Sequence, residues 1–129
     1  MLDKTALSDQ LEERLIDFAV AINRIAGQLP KNYLARHIAK QILRSGTSVA
    51  PNYAEARGAE SRSDFIHKMR IIQKELNETA VWLRTILKSS VLSPEIIGAV
   101  LAENKELSRI VTASIKTSRS RLRFPSDEL

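Results

Sequence analysis

Residues 44–83, RSGTSVAPNYAEARGAESRSDFIHKMRIIQKELNETAVWL, decide the fold. Near their end Phe65, Met69, Ile72, Leu76, Thr79 and Leu83, followed by Ile86, advance in alternating steps of four and three. That spacing keeps one helix face against a neighbour and predicts the seam of a helical bundle. Ahead of the seam, Gly58 is suited to end a helix, and Ser61 or Ser63 can accept the free amides that open the next one. The connection between them is short, so the helices it joins are predicted to be antiparallel neighbours. A second apolar strip, Ile71, Trp82 and Ile86, lies roughly 100° from the seam on a helical wheel. Tryptophan on a second face suits either a wide groove between two neighbours or a subunit interface, where it is enriched.

Upstream, Leu34, Ile38, Ile42, Val49 and Tyr53 give a second helix its apolar face. Ala35, Ala39, Gly46, Ala50 and Ala54 flank that stripe, so another helix can approach its backbone closely. Ser45 and Asn52 project onto the core face. Pro51 has no N–H to donate, which predicts a kink near residues 47–51 and a bond from Asn52 to a carbonyl freed there. Farther out, Ser8 or Asp9 can cap a first helix striped by Leu7, Leu11, Leu15, Phe18, Ile22, Ile25 and Leu29, stopped at Gly27 and Pro30. After Ser89 and Ser90 the sequence Ser93-Pro94-Glu95 restarts a helix with a cap, a proline at the first position and an acid near the positive end. Its stripe is Ile97, Val100 or Leu101, Asn104, Leu107, Val111 and Ile115.

The prediction is an all-α fold, an up-and-down antiparallel four-helix bundle in one domain over residues 1–118. Its helices fall at about 8–27, 32–57, 61–89 and 94–117, and residues 119–129 form a basic, mobile tail. No internal repeat or strand pattern competes.

Composition narrows the function classes. At 129 residues and 43% apolar, the chain can bury a core without staples, and it has no cysteine for disulfide or thiolate chemistry. No leader-like segment or spanning apolar run is visible, so a soluble, cytoplasmic protein is expected. The net charge of +5 is uneven: −2 over residues 1–30, +4 over 31–58, +2 over 59–90 and +1 over 91–129. Arg36, Lys40 and Arg44 recur every four residues and align on one outward face, a spacing that can track phosphates. Arg57, Arg62, Lys68 and Arg70 can widen the patch near the second turn. A solvated helix face is the plainer account of the same charges.

A bundle metal site is not supported. Asp64 and His67 have the i, i+3 spacing of such a site, but a di-iron centre needs two Glu-x-x-His pairs and further carboxylates, whereas the chain has only two histidines, His37 and His67. Glu75 and Glu78 are expected to pair with Arg44, Arg57 or Lys74 instead. Nucleophile and phosphate-loop motifs are absent, and nothing points to a cofactor, a metal, a small-molecule substrate or a membrane.

Leu29-Pro30, QILRSGTSVAPNYAEA from Gln41, ESRSDFIHKM from Glu60 and KELNETAVWL from Lys74 together resemble the bacterial 23S rRNA intervening-sequence protein family. Members of that family are encoded within insertions in large-subunit rRNA genes. The matching motif runs through Ser45, Ser48, Asn52, Glu55, Phe65, Glu75 and Glu78, and helices one and four match in pattern only. Where members often carry Ala-Asn-Ile-Ala-Glu-Gly, this chain departs with Pro51 and Ala56. The resemblance implies a left-handed up-and-down four-helix bundle assembled as a homopentameric ring or barrel, with Ile71, Trp82 and Ile86 as candidate interface residues, and no established enzymatic activity. Accessory proteins of diversity-generating retroelements look similar and bind RNA and a reverse transcriptase through a basic surface. The expected function is therefore a non-enzymatic homo-oligomer that binds RNA, DNA or a nucleoprotein through its basic second helix. The alternative is a scaffold for a protein partner with no nucleic-acid role.

Overall fold

The computed structural model describes residues 3–123. Four helices follow in order: α1 (Lys4–Gln28), α2 (Tyr33–Arg57), α3 (Arg62–Ser89) and α4 (Pro94–Arg123). Each packs on its sequence neighbour, and α4 returns more loosely to α1, while the diagonal pairs stay apart. That order of contacts is the up-and-down four-helix bundle that the seam predicts. Among the described residues there is no strand.

Side-chain caps set most of the boundaries. Asp3 accepts from the Ala6 amide at 2.7 Å, Asn32 from Ala35 at 2.9 Å and Ser61 from Asp64 at 3.0 Å. Each satisfies one donor that the first helical turn leaves free. α3 ends on Ser90, whose φ of 57° lies in the left-handed region, and Pro94 opens α4 with Glu95 in its first turn.

Two predicted boundaries are corrected. α1 starts at Lys4 rather than near Ser8, because nothing from Lys4 to Leu7 breaks a helix and Asp3 supplies the cap. α4 runs on to Arg123 rather than stopping near residue 117, since no glycine or proline interrupts it before Pro125. The first part of the expected tail is thus helical; the rest of it, residues 124–129, lies outside the described residues.

The core follows the stripes. Leu15, Phe18, Ile22 and Ile25 from α1 meet Ile42 and Val49 from α2, the seam of α3 from Met69 to Ile86, and Ile97, Leu107 and Val111 from α4. Burying each such side chain stabilises the fold by roughly 1.5–3 kcal/mol before ordering costs. Leu7 and Leu34 are exceptions, 52% and 67% exposed. Each stands two steps of four before its core partner, and each such step drifts about 40° around the helix. Ala35 takes the inward place on α2 instead. At the head of the seam Phe65 is half-buried and Ile66 is buried.

A polar layer crosses this core. Thr79 Oγ1 and Ser45 Oγ lie 2.8 Å apart, the Ser45 hydroxyl donates to the Ile42 carbonyl, and Asn104 Nδ2 donates to the Leu76 carbonyl at 3.1 Å. No buried side-chain polar atom lacks a partner among the described residues. Ser45 is thus a core residue as predicted. Asn52 is only half-buried, and it donates to the Ser48 carbonyl at 2.8 Å, one residue past the carbonyl that Pro51 leaves without its donor. α2 remains helical through Pro51, which faces solvent.

Candidate nucleic-acid interface

The seven cations singled out by sequence do not form one patch. Arg36, Lys40 and Arg44 are all exposed on the first half of α2. Arg57 lies at the far end of the same helix, about 30 Å from Arg36 at 1.5 Å of rise per residue. Arg62 and Lys68 begin α3 beside it, so the expected widening of the patch is corrected to two separate basic regions.

Ion pairing divides them further. Arg44 bridges Glu75 at 3.4 Å and also pairs with Glu78. Arg57 reaches Asp9 at 2.8 Å and Glu12 at 3.2 Å, and Lys68 reaches Glu55 at 3.1 Å. A cation already facing a carboxylate offers a phosphate little, because the new contact must displace the old one. Arg36, Lys40, Arg62 and Arg70 make no ion pair among the described residues. Arg36 and Lys40 stand one turn apart, with side chains about 5–6 Å from each other at the root.

Sequence reasoning passed over a further cation here. The Thr79–Ser45 contact and the edge-to-face packing of Trp82 on His37, with ring centroids 6.1 Å apart, fix the antiparallel register of α2 and α3. The end of α3 therefore lies beside the start of α2, which brings Lys88, exposed and without an ion pair among the described residues, to the same end of the bundle as Arg36. Its sequence distance from Arg36 hides this; only the pairing of the two helices reveals it.

The acids serve as braces. Glu78 accepts from Arg44 and from Trp82 Nε1, the latter at 3.2 Å, so one carboxylate ties α2 to the indole of α3. The Arg44 guanidinium, helped by the Trp82 N–H, holds the Glu78 carboxyl below the usual carboxylate range against the opposing effect of partial burial. A carboxyl depressed in the folded state contributes stability above its unfolded pKa and loses it as pH falls through the folded one. Glu78→Gln is therefore expected to lower the midpoint of thermal unfolding slightly at pH 7. The gap to the parent should close below about pH 4, checked by melts across pH 3–7.

Of the three candidate interface residues, Ile86 is corrected to a core residue, 1% exposed, because it completes the seam and cannot serve a second face. Ile71 and Trp82 are half-buried. The edge-to-face contact with His37 sets Trp82 against α2, with part of the indole still exposed. Among the described residues no group of three or more His, Cys, Asp or Glu side chains is placed to hold a metal ion, and no helix is long and apolar enough to cross a membrane.

A profile described as 23S rRNA-intervening sequence protein matches residues 10–113. The chain belongs to that family. Comparison with curated proteins returns no match. Among solved structures, the chain is similar to a crystal structure from Bacteroides thetaiotaomicron, a protein of unknown function from the S23 ribosomal protein family. The two are 34% identical with a TM-score of 0.76, over 82% of this chain and 98% of that one. The family match spans all of α2 and α3 and most of α1 and α4, so the basic stretch of α2 lies within it. The family relation thus rests on the bundle itself, and neither the family's name nor that of the Bacteroides protein states an activity.

Proposed function

We propose that this protein is a non-enzymatic, self-associating helical bundle that binds RNA, DNA or a nucleoprotein along the outer face of α2. Arg36 and Lys40 are its principal phosphate contacts. The observation that carries the reading is their state: both exposed, one turn apart and without a carboxylate partner among the described residues, in a stretch with a net charge of +4. Contacts of this kind act by releasing condensed counterions, so affinity falls steeply with salt and depends little on sequence.

The test is R36E/K40E. Binding to a mixed RNA and DNA pool at about 50 mM salt should weaken at least tenfold, with helicity unchanged by circular dichroism. Unaltered binding would place the contact elsewhere and sink the reading.

Self-association, for which a homopentameric ring is the expected form, draws support from apolar exposure. Tyr33 at 93% and Leu34 at 67% stand open at the start of α2, and Val81, Val91 and Ile96 are exposed on the end of α3, the α3–α4 connection and the start of α4. Apolar surface gathered at one end of a bundle suits contact with another protein. The same observation favours the second reading, an oligomeric scaffold for a protein partner. A stoichiometric protein recovered from nuclease-treated lysate, with no nucleic acid retained at low salt, would select it.

A further inference from the structure

The loosest seam of the bundle is the one between α1 and α4, and the residues that face it explain why. Thr5 and Ser8 on α1 oppose Ser114 and Ser118 on α4, where the other helix pairs bring together Leu, Ile and Phe. Side chains this short leave the space between the two helices unfilled, and their hydroxyls leave the walls polar. The result is an open groove of about 800 Å³ that continues into a second of about 640 Å³, sharing Lys4, Tyr53, Phe65 and Arg121.

Charge in the groove is one-sided. Lys4 from the start of α1, Arg62 from the start of α3 and Arg121 from the end of α4 converge on it from three helices, and none of them meets a carboxylate within ion-pair distance among the described residues. Two further cations are already engaged. Arg57 holds Asp9 and Glu12, while Arg14 makes a two-point contact with Glu103 at 2.7 and 3.0 Å. The acid lining the larger space is Glu60, and the smaller has none. Phe65 lines both spaces and is half-buried, so part of its ring is available to a ligand.

Three free cations select a phosphate, the hydroxyl walls suit a sugar and the edges of a base, and the phenyl ring offers a stacking surface. The volume matches a ligand of nucleotide size. An apolar helix would leave the hydroxyls and cations unanswered. We infer that the α1/α4 groove binds a nucleoside 5′-phosphate, its phosphate held by Lys4, Arg62 and Arg121 and its base against Phe65. The same chemistry can arrive as a free nucleotide or as the 5′-phosphorylated end of an RNA strand. This site is at the opposite end of α2 from Arg36 and does not depend on that face.

Fluorescence anisotropy tests it with two probes, a ribose-labelled nucleoside 5′-diphosphate and a labelled single-stranded RNA octamer carrying either a 5′-phosphate or a 5′-hydroxyl. Saturable nucleotide binding is expected, weakened at least tenfold by R62Q/R121Q and at least threefold by Phe65→Leu, both with parental helicity. Glu60→Gln should leave affinity equal or improved, and R36E/K40E should leave nucleotide binding within twofold, which separates this site from the α2 face. An octamer bound at least tenfold better with its 5′-phosphate than without would identify a strand end as the source, and nucleotide binding without that preference would identify a free nucleotide. The proposal is overturned if neither the nucleotide nor the phosphorylated octamer binds, or if R62Q/R121Q binds as the parent does.

Discussion

Asn104→Asp is expected to destabilise the bundle by about 3–5 kcal/mol at pH 7, the penalty for leaving an ionised group buried without a partner. Asn104 is 3% exposed on α4 and donates through Nδ2 to the Leu76 carbonyl of α3. The substitution changes almost no volume. It replaces the donor with an oxygen and sets a carboxylate about 3 Å from a carbonyl oxygen, with no buried cation among the described residues to receive it. Burial and repulsion both favour the protonated form, so the introduced carboxyl has a folded pKa above its unfolded value. The sign of the pH dependence follows. Its share of stability is intact below the unfolded pKa, about 4, and is lost as pH rises through the folded one, so the loss relative to the parent should be smallest near pH 4 and greatest at neutral pH.

Asn104→Leu separates charge from polarity. Removing both the donor and the need for an acceptor with a side chain of similar size is expected to be nearly neutral or mildly stabilising, because the Leu76 carbonyl keeps its helical position. Denaturant unfolding followed at 222 nm, at one fixed protein concentration, measures both variants. Equal losses for the aspartate and leucine substitutions would show that shape, and not desolvated charge, controls this position. If leucine is tolerated, the asparagine acts on specificity: its single bond to α3 fixes the sliding register of two helices whose apolar stripes alone would accept more than one.

The parts of this molecule that a periodic pattern encodes were legible from sequence. The steps of four and three from Met69 to Ile86 give both the helix and its inward face, and Ser45 and Asn104 could be placed in the core because they interrupt otherwise apolar stripes at the right phase. Failure begins where the pattern drifts or runs out. Leu7 and Leu34 extend their stripes by steps of four alone, and they and Phe65 turn away from the centre at helix ends. The end of α4 was misread for another reason. SRSRLR has little apolar content, but helix formation needs no buried face once the twenty-four residues before it have already nucleated the helix, and Ser118 and Arg121 line the α1/α4 groove rather than a core. The basic candidates were recoverable as charges but not as free charges. Whether Arg44 or Arg36 can meet a phosphate depends on which carboxylates the neighbouring helix brings alongside, and that is a property of register between helices that no single helix encodes.

Gly46→Val is expected to cost about 2–3 kcal/mol, and the reason is the approach of α1 to α2. A Cβ built on Gly46 would lie 2.8 Å from both γ-carbons of Ile22, closer than real contacts come, and 3.1 Å from its Cβ, which is tight. Ile22 is fully buried and branched next to its backbone, so its colliding atoms cannot swing aside as the tip of a long chain would. Glycine otherwise weakens a helix interior by about 1 kcal/mol relative to alanine, so Gly46→Ala brings two opposed effects. Overpacking at this distance costs about 1–3 kcal/mol, which exceeds the propensity gain, and a net loss of about 1 kcal/mol is expected. Gly27 supplies the control. A Cβ there meets nothing within 4 Å, so Gly27→Ala should realise the propensity gain where Gly46→Ala does not. A double-mutant cycle then isolates the contact. Ile22→Ala deletes both γ-carbons, and although it costs about 2–5 kcal/mol by itself, adding Gly46→Ala in that background should stabilise, because the new methyl enters the space just vacated. A coupling of at least about 1 kcal/mol in this direction would establish that glycine is required at position 46 by the side chain of Ile22. Strictly additive losses would mean that the α2 backbone itself resists a β-carbon there.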